Sequence, residues 1–412
     1  MTVRAALVTL CAGLLSTAAY ATTYTFTKIL DNQAGAFTGH NLDAPQINDA
    51  GQVLFTETDP NAVVDEDTHF WRKTGGTVVQ LFSVGPTGTY SQVFGRYHLG
   101  QSGKVLASLP GVSGRDARLF DGVGSTALYS SVSLVNGLNA ADTISYSVTP
   151  TFFHYRGNGG PATLLFNTGS GFLSPPNSSG QAALAAAITL VPPVNGVRRT
   201  DGVGPIITIA DSTGPLLNCT TFPDINDAGD VLLLANLDAG GAALWLGNGG
   251  PITTLADESG AYGSLLEYDL NNSGKIAFGA ILDDFNVGIY TGANAVSDKV
   301  IQTGDTLDGQ TVMNVAFLRG GFNNNGQIGF QVAFDALQEN QALYIATPVV
   351  GCTPDGDMNV DTQANGADVQ PFTAALLAGS TTSGDLCHGD FSANAVIDAA
   401  DVTGFVQKLL AP

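Results

Sequence analysis

Three observations predict an all-β, seven-bladed β-propeller followed by a small α-helical domain built on two cation loops. A turn-and-strand phrase recurs seven times. The last copy lacks a strand that the start of the chain supplies. An Asp-rich spacing occurs twice near the C-terminus.

Composition sets the class. The chain has 412 residues, with 15 Lys+Arg against 36 Asp+Glu, a formal net charge of −21. That balance argues against nucleic-acid binding, which needs a basic surface. An apolar share of 44% is too high for a wholly disordered chain. Asp in excess of Glu, with 51 Gly, favours turns and strands over helices.

Residues 1–21 read as a secretory signal. Arg4 supplies the positive start, Ala5–Leu15 the short apolar run, and Ala19-Tyr20-Ala21 the small-x-small cleavage site. The mature chain is expected to begin near Thr22 at an extracellular or cell-surface location. An uncleaved anchor is the alternative for this segment. No later stretch has the ~18 apolar residues of a spanning helix.

The repeat domain occupies 22–350. Its phrase is clearest as Asn48–Phe55 (NDAGQVLF), then at 226–233 (NDAGDVLL), 271–278 (NNSGKIAF) and 323–330 (NNNGQIGF). Weaker copies lie at 100–107, 139–146 and 177–184. The fourth position falls at 51, 103, 142, 180, 229, 274 and 326. Steps of 38 to 52 residues are the period of a propeller or related repeat array. Asn-x-x-Gly predicts a tight turn, because both residues tolerate left-handed backbone. The alternation that follows predicts a half-buried strand. An apolar or aromatic pair, a Gly-rich turn and another strand come next, as in Leu244-Trp245 and Gly247–Gly250. This is hairpin logic.

The seventh copy stops after Leu343-Tyr344. Its missing strand matches Lys28–Phe37 (KILDNQAGAF), which resembles Thr253–Tyr262 (TTLADESGAY) in kind and order. The first strand is therefore expected to complete the last blade and close the ring, removing exposed edges. The degenerate copies leave six or eight blades open. The region resembles the secreted tandem-repeat proteins named for an Asn-x-x-Gly-x-x-x-Phe signature. That resemblance implies an extracellular repeat protein and no particular activity.

Residues 351–412 carry eight Asp and one Lys. Asp357, Asn359, Asp361, Gln363, Asn365 and Asp368 share one spacing with Asp390, Ser392, Asn394, Val396, Asp398 and Asp401. Side-chain oxygens fall at loop positions 1, 3, 5, 9 and 12, and Gln363 and Val396 would each offer a backbone carbonyl at position 7. That donor set suits calcium. Val369, Phe372, Ala375 and Leu376 after the first loop, and Val402, Phe405, Val406 and Leu409 after the second, have helical spacing. Export would permit a disulfide between Cys352 and Cys387. The segment resembles the type I dockerin module, a duplicated EF-hand-type calcium loop and helix. The resemblance implies two calcium ions at the residues named and a cohesin-like partner. Thr362 and Ala395 stand at loop position 6, where Gly is usual, and the first loop also has Ala364 where a larger apolar residue is usual, so the first site is the less certain. The partner positions are Gly366-Ala367 and Ala399-Ala400, without hydroxyl or charge. A cell-surface anchor of another kind fits equally.

No catalytic constellation is visible. The five His form no HExxH or other close metal pair. Asp65-Glu66-Asp67 and Asp283-Asp284 read as solvated loops. Trp71, Trp245, Tyr290 and Tyr344 recur at one place per repeat and read as core. The favoured function is a non-enzymatic extracellular binding or display protein, its propeller face holding a glycan or protein ligand. A secreted carbohydrate-active enzyme and a structural envelope protein are the alternatives. The enzyme would require convergent, pKa-shifted acids in the central channel.

Overall fold

The computed structural model describes residues 24–410 except 61–66, 94–95, 113, 149, 168–170, 215, 219–221, 350–353, 360, 362, 381–382 and 393–395. The signal segment, Cys352, Asn394, Thr362, Ala395 and the Asp65-Glu66 pair lie outside these residues. The chain divides into a unit spanning Tyr24–Val349 and a second that holds the C-terminal segment.

Every copy of the phrase makes the same turn. The position-4 N–H donates to the position-1 carbonyl in all seven, at 2.9–3.1 Å. Position 4 lies at φ 57–83° in each case. Glycine holds that left-handed backbone without a Cβ clash. The exception is Asp142, a residue type that tolerates it. In the six copies that carry Asn at position 1, its Oδ1 accepts the position-5 N–H at 2.8–3.0 Å. Asparagine is thus the turn's own cap.

Its Nδ2 reaches outward. Asn48 donates to the Gly100 carbonyl, Asn139 to Asn177, Asn177 to Asn226, Asn271 to Asn323, and Asn323 to Asn48. Each bond joins one blade to the next, and the last joins the seventh blade to the first. Gly100 has no side chain to give, and Asn226 turns its Nδ2 to Asp230.

The strand that follows each turn is the second of its blade and is covered on both faces. In the last blade Ile328–Ala333 is buried throughout. Phe330 packs with Tyr344, and this cluster reaches Ala277 and Ile289 of the preceding blade. Burying each such aromatic stabilises the fold by roughly 1.5–3 kcal/mol.

Seven antiparallel sheets result. Six are built in chain order from 41–84, 98–130, 132–166, 171–211, 216–257 and 262–302; the sheets of 41–84 and 216–257 have five strands and the other four have four. The seventh takes Asn314–Ala316, Ile328–Ala333 and Gln341–Pro348, and its outer strand is Tyr24–Asp31. Tyr24 pairs with Pro348 and Asp31 with Ala342. The ring therefore closes by strand exchange, as the truncated last copy predicts, and the blade count is seven. One element was not foreseen. A short hairpin of Thr306–Leu307 and Gln310–Thr311 carries Asp308 at its tip. Asp308 accepts from Tyr344 Oη at 2.7 Å and pairs with Lys28 Nζ at 3.1 Å, tying the exchanged strand to its neighbour.

The C-terminal segment has three helices, α1 (Val369–Ala378), α2 (Ser383–Gly389) and α3 (Val402–Leu409). Phe372 and Phe405 stack at 3.9 Å, 6° from parallel, at the centre of a core with Met358, Ala375, Leu386 and Ile397. Helices α1 and α3 follow the expected spacing. However, Val369, Val402 and Val406 are exposed rather than packed. One or two side chains per turn suffice to cover so small a core. Helix α2 has no apolar period and was not anticipated.

Asn323→Ala removes two turn bonds and the ring-closing bond together. It should lower unfolding stability by about 2–3 kcal/mol in a denaturant titration. The exposed Leu337→Ser should stay within about 0.5 kcal/mol.

Candidate functional site

The innermost strands place two rings of side chains around the axis. The upper ring is position 2 of each turn: Asp49, Gln101, Ala140, Ser178, Asp227, Asn272 and Asn324. Their backbone N–H groups and side chains interlock between blades. Asp49 N–H donates to Gln101, Ser178 to Asp227, Asp227 to Asn272, Asn272 to Asn324, and Asn324 to Asp49, at 2.7–2.9 Å.

The lower ring lies two residues before position 1: Gln46, His98, Gly137, Pro175, Asp224, Asp269 and Gly321. Three of these side chains take the N–H one residue before the next turn. Gln46 accepts from Leu99 at 2.7 Å, Asp224 from Leu270 at 2.9 Å, and Asp269 from Phe322 at 3.1 Å. Between the rings lies a cavity of about 430 Å³.

Arg319 bars the lower end. It is 7% exposed, donates to the carbonyls of Phe222 and Pro223, and lies 3.6 Å from Asp224. Its guanidinium sits 5.2 Å from the Tyr268 ring centre. A second cavity of about 410 Å³ lies against the same arginine, with Arg96, Phe172 and Phe222 in its wall.

The electrostatics follow from burial. Burial, with the Asp224 charge adding, holds the Asp269 carboxyl well above the ordinary carboxylate value; Arg319 and the N–H groups of Gly320 and Phe322 oppose this. Burial lowers the His98 imidazole to about 3, with Arg96 and Arg319 adding to it. The Nε2 of His98 is inaccessible to solvent and has no hydrogen-bond partner. The pKa-shifted acid that an enzyme would need is thus present, and both Asp224 and Asp269 are also tied to backbone N–H groups.

Sequence reasoning missed Gln46, Asp224, Asp269 and Arg319 and left His98 unassigned. The available signal was the fixed offset from each turn Asn. It also missed a cluster in the first blade. Glu57, 3% exposed, has His40 Nδ1 at 2.5 Å, His69 Nδ1 at 2.8 Å and the Trp71 indole N–H at 3.1 Å. His40 and His69 therefore share one carboxylate. The Asp283-Asp284 pair lies in a turn, with Asp284 capping Asn286. Tyr290 and Tyr344 are fully buried, as expected of core, whereas Trp71 and Trp245 are half-buried.

The two C-terminal loops have one hydrogen-bond plan. Asp368 and Asp401 are both fully buried. Asp368 accepts from Asn359 and Asn365 N–H at 3.0 and 2.8 Å; Asp401 accepts from Ser392 and Asp398 at 2.7 and 2.9 Å. Asn365 then caps Ala367, and Asp398 caps Ala400. In the first loop Asp357 Oδ1 and Asn359 Oδ1 meet at the N–H of Asp361, which in turn caps Gln363. The Gln363 carbonyl accepts from Asn365 Nδ2 at 3.3 Å. In the second, Ser392 Oγ lies 3.4 Å from Asp390, and Val396 is half-buried. Among the described residues, no three His, Cys, Asp or Glu side chains converge on one point. No described helix is long and apolar enough to cross a membrane.

Stability should fall as pH drops from about 6.5 toward about 3, because unfolded His98 takes a proton that the native site refuses. The difference in denaturant stability between pH 7 and pH 5 should be smaller in His98→Gln than in the natural chain.

No family model matches the chain, and no curated protein matches it. Solved structures share its architecture at low identity. Oligogalacturonate lyase from Vibrio parahaemolyticus is 12% identical over 79% of this chain and 97% of its own, with a TM-score of 0.47. YCF48 from Cyanidioschyzon merolae is 11% identical over 78% and 98%, at 0.41. A Mycobacterium tuberculosis puromycin-hydrolyzing peptidase is 13% identical over 78% and 56%, at 0.46. These likenesses carry no activity to this chain.

Proposed function

We propose that this is an exported binding and display protein. Its propeller offers the ligand face, and its C-terminal segment is a calcium-stabilised, dockerin-like module that tethers or sorts it. The observation that carries this reading is the duplicated loop plan around Asp368 and Asp401. Two loops with the same buried Asp, the same capped N–H groups and oxygen donors at the same positions suit a hard cation. In the first loop, oxygens of Asp357 and Asn359 meet at one N–H.

The residues that would hold calcium are Asp357, Asn359, Asp361, Gln363, Asn365 and Asp368, then Asp390, Ser392, Asn394, Val396, Asp398 and Asp401. Bound calcium supplies positive charge that offsets the crowded carboxylates and cross-links each loop to its helix. A core as small as that around Phe372 and Phe405 gains from such a staple. A Cys352–Cys387 disulfide would be a second staple and would fit export to an oxidising compartment. The partner of the module is a cohesin-like or other surface-anchoring protein.

A secreted carbohydrate-active enzyme is the second reading. The shifted carboxyl of Asp269 beside Asp224 favours it. Their shared duty as inter-blade clasps favours binding.

Calcium should raise the melting temperature of the C-terminal transition of the full chain relative to a chelator. Asp368→Asn combined with Asp401→Asn should abolish that difference. A transition indifferent to calcium in the natural chain refutes the module's metal role. Secreted protein should begin at Thr22 by intact mass, and retention of residues 1–21 would favour the anchor instead.

A further inference from the structure

The two faces of the ring differ in what they expose. The Asn turns, which join the first and second strands of each blade, lie on one face. The hairpins that join the second and third strands therefore lie on the other. In five of the seven blades these hairpin tips hold a large apolar side chain in solvent: Val112, Phe152, Val191, Phe285 and Leu337. Phe172 and Leu217, on the opening strands of two blades, are exposed on the same face. All three exposed phenylalanines among the described residues are thus here, and the turn face exposes aliphatic side chains only. Two of the rings are held at a cost. Phe152 lies at φ 53° and Phe285 at φ 68°, left-handed backbone that bulky residues rarely adopt. Strain of this kind persists where a side chain serves a purpose, and an exposed ring serves none within the chain.

Both ends of the ring's chain lie at the turn face. Tyr24 pairs with Pro348, and a Cβ on the turn residue Gly326 would stand 3.1 Å from Pro348. The occupant of the opposite face therefore comes from outside the ring, and charge selects it. The tips carry Asp238, Asp283, Asp284, Asp335 and Glu339, and none of the seven contains Lys, Arg or His. Asp335 accepts from the N–H groups of Glu339, Asn340 and Leu337, which hold its carboxyl below the ordinary value and keep it charged. Two arginines border the face and are already engaged, Arg96 by Glu267 and Arg115 by the Ser133 carbonyl. A bilayer that took in Phe285 or Leu337 would bury the carboxylates beside them, and anionic lipid would be repelled. A second copy would set acidic tips against acidic tips. A protein surface that mixes cations with large apolar side chains satisfies both features. An anchor point exists below Arg319, where a cavity of about 410 Å³ is walled by Phe172, Phe222, Leu265 and Leu266. The strand Tyr262–Leu270 slips register between Leu265 and Tyr268, and the two residues between them, Leu266 and Glu267, line this cavity. Glu267 is paired with Arg96 at 3.0 and 3.2 Å, so the cavity offers apolar walls more than free charge.

We propose that the face carrying these hairpin tips docks a basic protein segment that mixes Lys or Arg with large apolar side chains. Its cations meet Asp238, Asp283, Asp284 and Glu339, and its apolar side chains cover Phe285, Leu337 and their counterparts. One apolar side chain enters the cavity beside Phe172 and Leu266 as the anchor. This inference deepens the proposed function and rests on the propeller being the binding part of the chain.

The test uses the full chain and three labelled peptides of equal length, read by fluorescence polarisation. One mixes Lys with Leu and Trp, one has Ser in place of the Leu and Trp, and one has Glu in place of the Lys. The first should bind at least tenfold more tightly than either other, and its affinity should fall as salt rises. Phe285→Gly combined with Leu337→Ser should weaken that binding at least tenfold, and Phe172→Ser at the cavity wall should do the same. Phe285→Gly alone should not lower the unfolding midpoint, because glycine takes left-handed backbone freely. Val123→Ser on the turn face should leave binding unchanged. The inference is overturned if no peptide binds, if the Lys–Ser or the acidic peptide binds as tightly, or if the Phe285–Leu337 double variant binds as the natural chain does. It is equally overturned if phosphatidylcholine vesicles, with or without phosphatidylglycerol, capture the chain through Phe285, or if sedimentation shows a dimer that the double variant dissolves. Calcium-dependent melting is read on the same samples. Its survival without peptide binding refutes this inference alone, and its loss with peptide binding intact refutes only the calcium module.

Discussion

One side chain does three things at once in this molecule, and the ring depends on it. The Asn that opens each turn caps its own backbone through Oδ1. It thereby fixes where the second strand begins, and in five of the seven turns its Nδ2 reaches the carbonyl of the next blade. Local and non-local structure are thus set by one amide group. That coupling explains why the residue is Asn and not Asp. A carboxylate makes the cap but has no N–H to donate. It also explains the Gly three residues later, since the turn that aims the amide needs left-handed backbone at that position. Asp142 shows the requirement from the other side, as it adopts the same conformation where the Gly is lost.

This redundancy made the fold legible. Each phrase specifies turn, strand start and inter-blade contact, so even the copy at Gly100, which has no amide, keeps the turn bond from Gly103. Closure was legible because a missing strand and a surplus one matched in kind. The channel was not. Its lower ring consists of Gln46, His98, Gly137, Pro175, Asp224, Asp269 and Gly321, which share no chemical type. Their common property is an offset from the turn, and its meaning appears only when seven strands face one axis. Arg319 was hidden for a related reason. Its partners Phe222 and Pro223 are carbonyls nearly a hundred residues earlier, and nothing in their side chains announces a guanidinium.

The C-terminal segment reverses the balance. Spacing alone marked the two loops, because oxygen-bearing side chains recur at the same intervals in both copies. The structure adds the shared role of Asp368 and Asp401, which organise each loop from a fully buried position at the head of a helix. The intervening α2 was unreadable, since Leu386 is its one core residue and a single apolar side chain defines no period.

Strand exchange carries a kinetic consequence. Thr25 and Thr347 touch across 322 residues of sequence. The first strand synthesised is consequently the last to be paired. Six blades can form locally, each from its own hairpins, while Tyr24–Asp31 waits with an open edge. Pairing so distant in sequence slows folding, because loop-closure entropy is spent before the contact returns anything. A chain that crosses a membrane N-terminus first would complete its ring only after Pro348 has followed. Assembly is therefore obligately late, and the open intermediate is the species that chaperones or aggregation would meet.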